Sequence, residues 1–437
     1  MMLQKFLKHN QEHFSFLKNS KLLIAVSGGI DSVVLAHLAK QAGFNFSICH
    51  CNFKLRSEES NRDEVFVKEL AEKLNVSVYT TYFETEKFAG ENKLSIQVAA
   101  RNLRYQWFYE LLEEQKYDYV LTAHNANDNL ETFLINLTRG TGLNGLTGIP
   151  SINKKTVRPL LQFSREEIQD FALTNEVNWR EDSSNSERKY VRNKIRHEVI
   201  PVLKQINPNI LDVFQNTLTY LNESQEIINN KIQEISKDVL IFDNDIIKID
   251  IEKLKLLENK KAYLHQILNI YNFTEWNDVS NLLTAQSGKQ LFSKTHRLIK
   301  DRKFLLLTEH KKENSQVYFI DENTKEVSHP INLTLEFCTE IDDNQQSSTI
   351  YIDKSKITYP LRLRKWQKGD LFYPTGMTGK KKLSKFFKDE KYSLLEKENT
   401  WLLCSENDII WIIGKRKDRR FLSKKASLST LKVYLTY

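Results

Sequence analysis

A chain of 437 residues with 40% hydrophobic and 27% charged side chains can bury a substantial core, and its length suits roughly two to four domains. The formal net charge of +8 suits a polyanionic partner such as RNA, without requiring one. Four cysteines, Cys49, Cys51, Cys338 and Cys404, with no C-x-x-C pair among them, exclude a disulfide scaffold and fit a reducing compartment.

Met1 to Lys18 mixes Lys, His, Gln and Glu with Phe and has no apolar stretch of the secretory kind. The longest apolar runs, such as Leu22–Val26 and Ile409–Ile413, fall far below the ~18 residues of a membrane span, so the expectation is a cytoplasmic protein with no membrane partner. Leu22–Val26 reads as a strand buried on both faces. A helix over Ser32–Lys40 and a strand over Phe46–Cys51 follow. Cys49-His50-Cys51 is a candidate metal cluster by residue type, but a buried strand suits it better, because structural zinc takes four ligands. Glu58–Asn75 is helical, with Val65, Leu70, Ala71 and Leu74 at helical spacing. Val76–Tyr82 is a third strand, Lys93–Glu114 a long helix, Tyr119–Thr122 a fourth strand and Asn127–Thr138 a further helix. Strands separated by helices predict βαβ units and a Rossmann-like parallel sheet, which gathers ligands at the carboxyl ends of its strands.

From about Asn207 to His310 the pattern changes. Ile210–Glu234 and Ile251–Tyr271 read as amphipathic helices joined by an apolar Val239–Ile249 stretch, which predicts a small, mostly helical domain. Lys311–Ser348 is polar and irregular, with a linker near Lys311–Gln316. From Thr349 to Tyr437 short β-like runs appear, Leu361–Arg364, Trp401–Cys404 and Ile409–Ile413, as expected of an α+β domain. The resulting division is 1–206, 207–315 and 316–437.

The first strand delivers the chain into Ser27-Gly28-Gly29-Ile30-Asp31-Ser32. Two glycines permit positive φ and leave no Cβ in a ligand's way, so successive amides can converge on phosphate oxygens at the start of a helix. Ser27 and Ser32 add hydroxyl donors. Asp31 is out of place in a phosphate cradle unless a cation such as Mg²⁺ accompanies the nucleotide. A glycine turn capped by Asp and Ser is the plain alternative. No G-x-x-x-x-G-K-[ST] occurs: none of Gly288-Lys289, Gly379-Lys380 and Gly414-Lys415 is followed by Ser or Thr. Gly140-Thr141-Gly142-Leu143-Asn144-Gly145 matches G-x-G-x-x-G, but it follows a predicted helix and so lacks the dinucleotide-binding context.

Ser27–Ser32 resembles the S-G-G-x-D-S signature of the PP-loop ATP pyrophosphatases. Later segments resemble the tRNA(Ile)-lysidine synthetases: His50-Cys51-Asn52-Phe53-Lys54-Leu55-Arg56, Ala100-Arg101 with Arg104-Tyr105, and Thr122-Ala123-His124-Asn125-Ala126-Asn127-Asp128-Asn129-Leu130-Glu131-Thr132. Arg139-Gly140 through Ile149, Arg158-Pro159-Leu160-Leu161, Trp179 with Asp182-Ser183-Ser184-Asn185, and Arg192-Asn193-Lys194-Ile195-Arg196 follow in that family's order. Gly369-Asp370, Pro374, Gly376-Met377 and Gly379-Lys380-Lys381-Lys382-Leu383 resemble its C-terminal domain. The resemblance covers roughly Lys21–Pro201 and Leu361–Arg420. Phe53 stands where the family often has His, and Asn125 and Asn127 where it often has His and Asp.

The resemblance implies a PP-loop ATP-binding catalytic domain at 1–206 and tRNA-binding regions at 207–315 and 316–437. It implies an AMP-forming ligase that joins free L-lysine to C2 of the wobble cytidine of an isoleucine tRNA with a CAU anticodon, using ATP and Mg²⁺; a homodimer is also among the expectations. Ser27, Gly28, Gly29, Ile30, Asp31 and Ser32 then bind pyrophosphate. Asp31, Arg101, His124 and Asp128 are the candidate catalytic residues, with Asp31 and Asp128 holding Mg²⁺. Arg101 suits an α-phosphate or a cytosine, against the alternative that Arg101 and Arg104 form solvated ion pairs. His124 contacts nucleotide or base, or else caps its strand; Asp128 and Glu131 are first-turn helix acids on the plain reading. Arg192 and Arg196, with Lys194 and His197, and Lys380, Lys381 and Lys382, with Lys415–Arg420, are candidates to grip tRNA. Trp366, Phe386, Phe387, Trp411 and Phe421 are candidates to stack on its bases. Plain charged surface competes with both readings. Two other functions stand beside the ligase: a PP-loop tRNA thiolase, which wants reactive cysteines, and a non-catalytic, nucleotide-regulated RNA-binding protein.

Overall fold

The computed structural model of the protein describes residues 2–55, 58–180, 191–310, 316–342, 346–423 and 430–436. Arg56, Asp182–Asn185 and most of the Lys311–Gln316 linker lie outside the described residues. The chain divides into two compact units, Met1–Asn230 and Lys231–Tyr437.

The first unit opens with helix α1 (Met2–His13) and strand β1 (Lys21–Ala25). It continues α2 (Ile30–Gln41), β2 (Asn45–Asn52), α3 (Glu58–Leu74), β3 (Val78–Tyr82), α4 (Thr85–Asn92), α5 (Ile96–Glu114), β4 (Tyr119–Leu121) and α6 (Ala126–Thr138). Then come α7 (Leu143–Leu146), β5 (Ile152–Asn153), β6 (Thr156–Val157), α8 (Arg165–Thr174), α9 (Val191–Lys194), a π-helical turn (Ile195–Val199) and α10 (Ile200–Ile206). Helix α11 (Ile210–Val239) runs across the division between the units.

The six strands stand in the order β3-β2-β1-β4-β6-β5, all neighbours parallel except β5 and β6. Leu22, Leu23 and Ile24 are fully buried because β1 is covered on both faces. Leu22 and Ile24 join the core under α2, α3 and α8, while Leu23 joins Phe108, Leu111 and Leu112 of α5 on the other face. Strand order reverses at β1, whose neighbours are β2 and β4. The carboxyl ends of β1 and β4 therefore lie side by side with their connections leading to opposite sides, the crevice where open α/β sheets bind ligands.

In the second unit helical structure is present where Ile251–Tyr271 was expected, as α12 (Ile251–Lys255) and α13 (Lys260–Leu268), and a further helix, α14 (Trp276–Asn281), follows. They pack, however, on a five-stranded antiparallel sheet that helical periodicity does not reveal. Its strands are β7 (Leu240–Asp243), β8 (Ile246–Asp250), β9 (Gln290–Phe292), β10 (His296–Asp301) and β11 (Phe304–Glu309), in the order β7-β8-β11-β10-β9. The apolar Val239–Ile249 stretch is a hairpin turning at Asn244, which adopts φ +49°. Ile251–Tyr271 is broken between α12 and α13 instead of forming one helix. The rest of the unit is the expected α+β region. One antiparallel sheet contains Tyr318–Ile320, Leu361–Lys365, Trp401–Ser405, Asp408–Ile412 and Arg416–Lys417; another contains Glu326–Val327, Leu333–Cys338, Thr349–Asp353 and Thr430–Leu435. The stretch read as irregular thus carries three strands.

Candidate active site

The loop between β1 and α2 is built by local sequence. Gly28 adopts φ +97°, a region costly for any residue with a Cβ, and Gly29 caps α2 in extended conformation. Two carbonyls are anchored from outside the loop: Val26 O by His50 Nδ1 at 2.8 Å, and Gly28 O by the Arg180 amide at 2.9 Å. The two serines brace the turn. Ser32 Oγ accepts from the Ser27 amide at 3.1 Å, lies 3.2 Å from Ser27 Oγ and donates to Gly29 O at 2.9 Å. Among the described residues, the amides of Gly28, Ile30 and Asp31 have no hydrogen-bond partner in the protein. These are the orphan donors of a glycine turn and a helix N-terminus, where an anion is stabilised by amides and helix dipole together.

Asp31, in the first turn of α2, meets Asn125 from the end of β4. Asn125 is 2% exposed and caps α6: its Oδ1 accepts from the Asp128 amide at 3.0 Å, and Asp128 Oδ2 accepts from the Asn125 amide at 3.1 Å. The Asn125 Nδ2 donates to Asp31 Oδ1 at 3.0 Å. Each carboxylate so keeps one oxygen, Oδ2 of Asp31 and Oδ1 of Asp128, whose cationic neighbours stand further off. Those are Arg165 at 3.8 Å and Arg196 at 3.5 Å. Burial raises the Asp31 pKa above its ordinary value and the Asp128 charge adds to this, while Arg165 and Asn125 oppose it. Two neighbouring carboxylates beside free amides fit a hard cation such as Mg²⁺, which takes oxygen ligands and would need further ones from outside the protein. Among the described residues no group of three or more His, Cys, Asp or Glu side chains could hold a metal unaided.

Between these groups lies a cleft of about 270 Å³ lined by Ser27, Gly29, Asp31, Ser32, His124, Asp128 and Arg192. Its other wall holds Phe53, Arg104, Tyr105 and Phe108. Phe53 stacks on Phe83 at 5.6 Å and 30°, and the Arg104 guanidinium stands 5.1 Å over its ring. His124 lines the cleft, and its Nδ1 lies 3.0 Å from Thr122 Oγ1. Burial lowers its pKa to about 4; the nearby Arg158, Arg101 and Arg192 add to this against Asp128, so the ring is neutral at neutral pH.

The site therefore brings together the loop residues, Asp31, His124, Asp128 and Arg192. Arg101 stands apart from the lining, exposed, with its guanidinium 4.8 Å over Tyr105; Arg104, one turn further along α5, is the arginine of that helix that lines the cleft. Arg196 turns inward. It donates to both oxygens of the buried Glu131 at 2.6 and 3.0 Å, and Arg192 Nε stands 3.4 Å from the same carboxylate. Asn125, Arg165 and Arg180 had no assigned role in the sequence, nor had His50 and Phe53. A capping box, N-x-x-D, was the available signal for the first.

In the second unit Lys380 and Lys382 are exposed, while Lys381 pairs with Asp389 at 2.7 Å. The aromatic side chains expected to stack on bases are a correction: Phe386, Phe387, Trp411 and Phe421 are buried in hydrophobic cores and Trp366 packs against one. Phe386 and Phe387 face inward from the helix Leu383–Asp389 and Trp411 from the strand Asp408–Ile412, so rings interleaved with basic residues in sequence are spent on packing. Cys49 and Cys51 reach the cleft from β2 as free thiols. Burial raises the Cys49 pKa well above its ordinary value and that of Cys51 to about 12. No helix among the described residues is long and apolar enough to cross a membrane.

A family model described as a PP-loop domain matches residues 2–203, one described as a TilS substrate binding domain matches 242–311, and one described as a TilS substrate C-terminal domain matches 361–432. The chain is 39% identical over 406 residues to a tRNA(Ile)-lysidine synthase of Parabacteroides distasonis, covering 92% of each protein. It is also 39% identical over 425 residues to that of Bacteroides thetaiotaomicron, covering 96% of each. A Porphyromonas gingivalis protein of the same name is 33% identical over 438 residues, covering 95% of this chain and 94% of its own.

Proposed function

The chain belongs to the tRNA(Ile)-lysidine synthase family, and from that premise we propose that it joins free L-lysine to C2 of the wobble cytidine of an isoleucine tRNA with a CAU anticodon. In this reading ATP is consumed in two steps. The C2 oxygen attacks the α-phosphate and pyrophosphate leaves; the lysine amine then attacks C2, AMP departs with that oxygen, and the nitrogen gives up its proton. Neither step needs a covalent enzyme nucleophile. Both need positioned substrates and charge neutralised where it develops.

The observation that carries the proposal is that the amides of Gly28, Ile30 and Asp31 have no protein partner among the described residues; in this reading they receive the phosphates. Asp31 and Asp128 hold Mg²⁺, which when bound supplies positive charge to the leaving pyrophosphate. The neutral His124 offers Nε2 to base or nucleotide, and Phe53 with Arg104 gives a flat wall suited to a nucleobase. Arg192, 46% exposed at the mouth, is placed for a phosphate of either substrate; Arg101 is assigned a longer-range electrostatic role. Residues 1–206 form the catalytic domain, and 207–315 and 316–437 contact tRNA, with Lys380 and Lys382 on exposed surface. The thiolase alternative loses support from Cys49 and Cys51, since thiols held so far above neutral pH are poor sulfur carriers.

Incubating the tRNA with ATP, Mg²⁺ and isotope-labelled lysine, then digesting it to nucleosides for mass spectrometry, tests the reading. Labelled lysidine should appear with the protein and vanish with Asp31→Asn. Pyrophosphate release without a lysine adduct, or a sulfur-bearing product, would overturn it.

A further inference from the structure

We infer that Asn125 is a positioning residue that sets the separation of the two acidic side chains, Asp31 and Asp128, between which a magnesium–nucleotide complex is gripped. This rests on the function proposed above and adds a residue to which that reading gives no task.

The Asn125 side chain serves two helices at once. Its oxygen accepts from the Asp128 amide at 3.0 Å and thereby fixes the first turn of α6. Its nitrogen donates to Asp31 Oδ1 at 3.0 Å and so fixes the first turn of α2. The Asn125 main chain closes the loop by donating to Asp128 Oδ2 at 3.1 Å. A single buried residue thus ties together two helices that follow different strands: its side-chain nitrogen occupies the inner oxygen of Asp31, and its main-chain amide that of Asp128. Only Oδ2 of Asp31 and Oδ1 of Asp128 remain, paired at longer range. An acceptor and a donor on adjacent atoms of a short side chain is a narrow requirement. Asparagine meets it; neutral histidine, with one ring nitrogen of each kind, also carries both. Aspartate and serine cap a helix about as well as asparagine does, and threonine somewhat less well, yet none has a donor that reaches Asp31 while capping. The amide is also uncharged, so it orders two like charges without adding a third.

Asn125→Ser separates the two tasks, since serine keeps the cap and loses the donor. The full-length protein is titrated with α,β-methylene ATP, which cannot release pyrophosphate, with and without Mg²⁺, and melting is recorded alongside. The expected result is a melting temperature close to the parent, unchanged metal-free affinity, and a roughly tenfold or greater loss of the affinity that Mg²⁺ adds, the scale of one hydrogen bond to a charged group. Asn125→Thr gives the same comparison if the serine variant is unstable. Metal-free and metal-dependent affinities falling together would show a merely structural role and overturn the inference, as would neither falling. Because neither tRNA nor lysine is present, failure of the unaltered protein to make lysidine would sink the function proposed above and leave this result standing.

Discussion

Replacing Arg196 by methionine keeps the aliphatic stem and removes the charge that faces Glu131. The Glu131 side chain is 1% exposed, and Arg196 supplies its two shortest hydrogen bonds, at 2.6 and 3.0 Å. Burial already raises the Glu131 pKa above its ordinary value, against Arg196 and Arg192. Without Arg196 the carboxyl rises further and folds protonated. At pH 7.0 the ceiling on that cost is two and a half pH units above 4.5, at about 1.36 kcal/mol each, or about 3.4 kcal/mol. Arg192 at 3.4 Å remains, and the parent carboxyl is itself raised, so the expected loss is about 2–3 kcal/mol. The sign is set by a folded pKa above the unfolded one. The stability this group contributes is fully present below about pH 4.5 and is lost as pH rises toward the folded value, so the defect should shrink to about 1 kcal/mol at pH 5.0. Urea unfolding of the full chain, read by hydrogen exchange in peptides covering residues 126–138, measures both values. A defect equal at the two pH values, or below about 0.5 kcal/mol at pH 7.0, would refute the reasoning.

Phe53→Leu removes the flat face beside Arg104 and should raise KM for ATP or for tRNA about tenfold with little change in kcat, from a stacking contribution of about 1–3 kcal/mol; steady-state kinetics with both KM values unchanged would remove the wall from the base site. Lys380→Ala with Lys382→Ala should weaken tRNA binding and reduce the slope of log K against log salt by about 1–2. Filter binding at several salt concentrations with the parent slope retained would take both lysines out of the interface. In the folded chain Cys51 should resist iodoacetamide at pH 8, where a thiol of pKa about 12 is ionised in about one molecule in ten thousand. Cys51→Ala should still form lysidine, and loss of product in the nucleoside assay would reopen the sulfur-transfer reading.

The parallel sheet was legible because β1 has a short apolar run, Leu22–Ala25, that leads within two residues into the paired glycines Gly28 and Gly29 at a helix start. The site around it was legible only in part. Asp31, His124 and Asp128 stand in segments whose order carries meaning, but Arg165 and Arg180 reach the site by folding back from remote positions, which no local spacing encodes. Asn125 looked like a departure from its family's pattern, and its value lies in offering an acceptor and a donor together, which is invisible until both partners are in place. The antiparallel strands β9 to β11 escaped notice because Gln290–Phe292 is three residues long and Phe304–Glu309 has no alternation, so neither period dominates. Arg101 and Arg104 lie on α5 within one turn of each other, and only the packing of Phe53 distinguishes them.

The two anchored carbonyls of the β1–α2 loop have a thermodynamic consequence. A peptide plane cannot rotate while its oxygen is held, and the oxygens of Val26 and Gly28 are held by groups from β2 and from residue 180. Those planes carry the Ser27 and Gly29 amides, and Gly29 O, held by Ser32 Oγ at 2.9 Å, fixes the plane that carries the Ile30 amide, so much of the turn is set before any nucleotide arrives. An incoming triphosphate meets a turn with little conformational freedom left to surrender, so less of the contact energy is spent on ordering the chain and more of it survives as affinity.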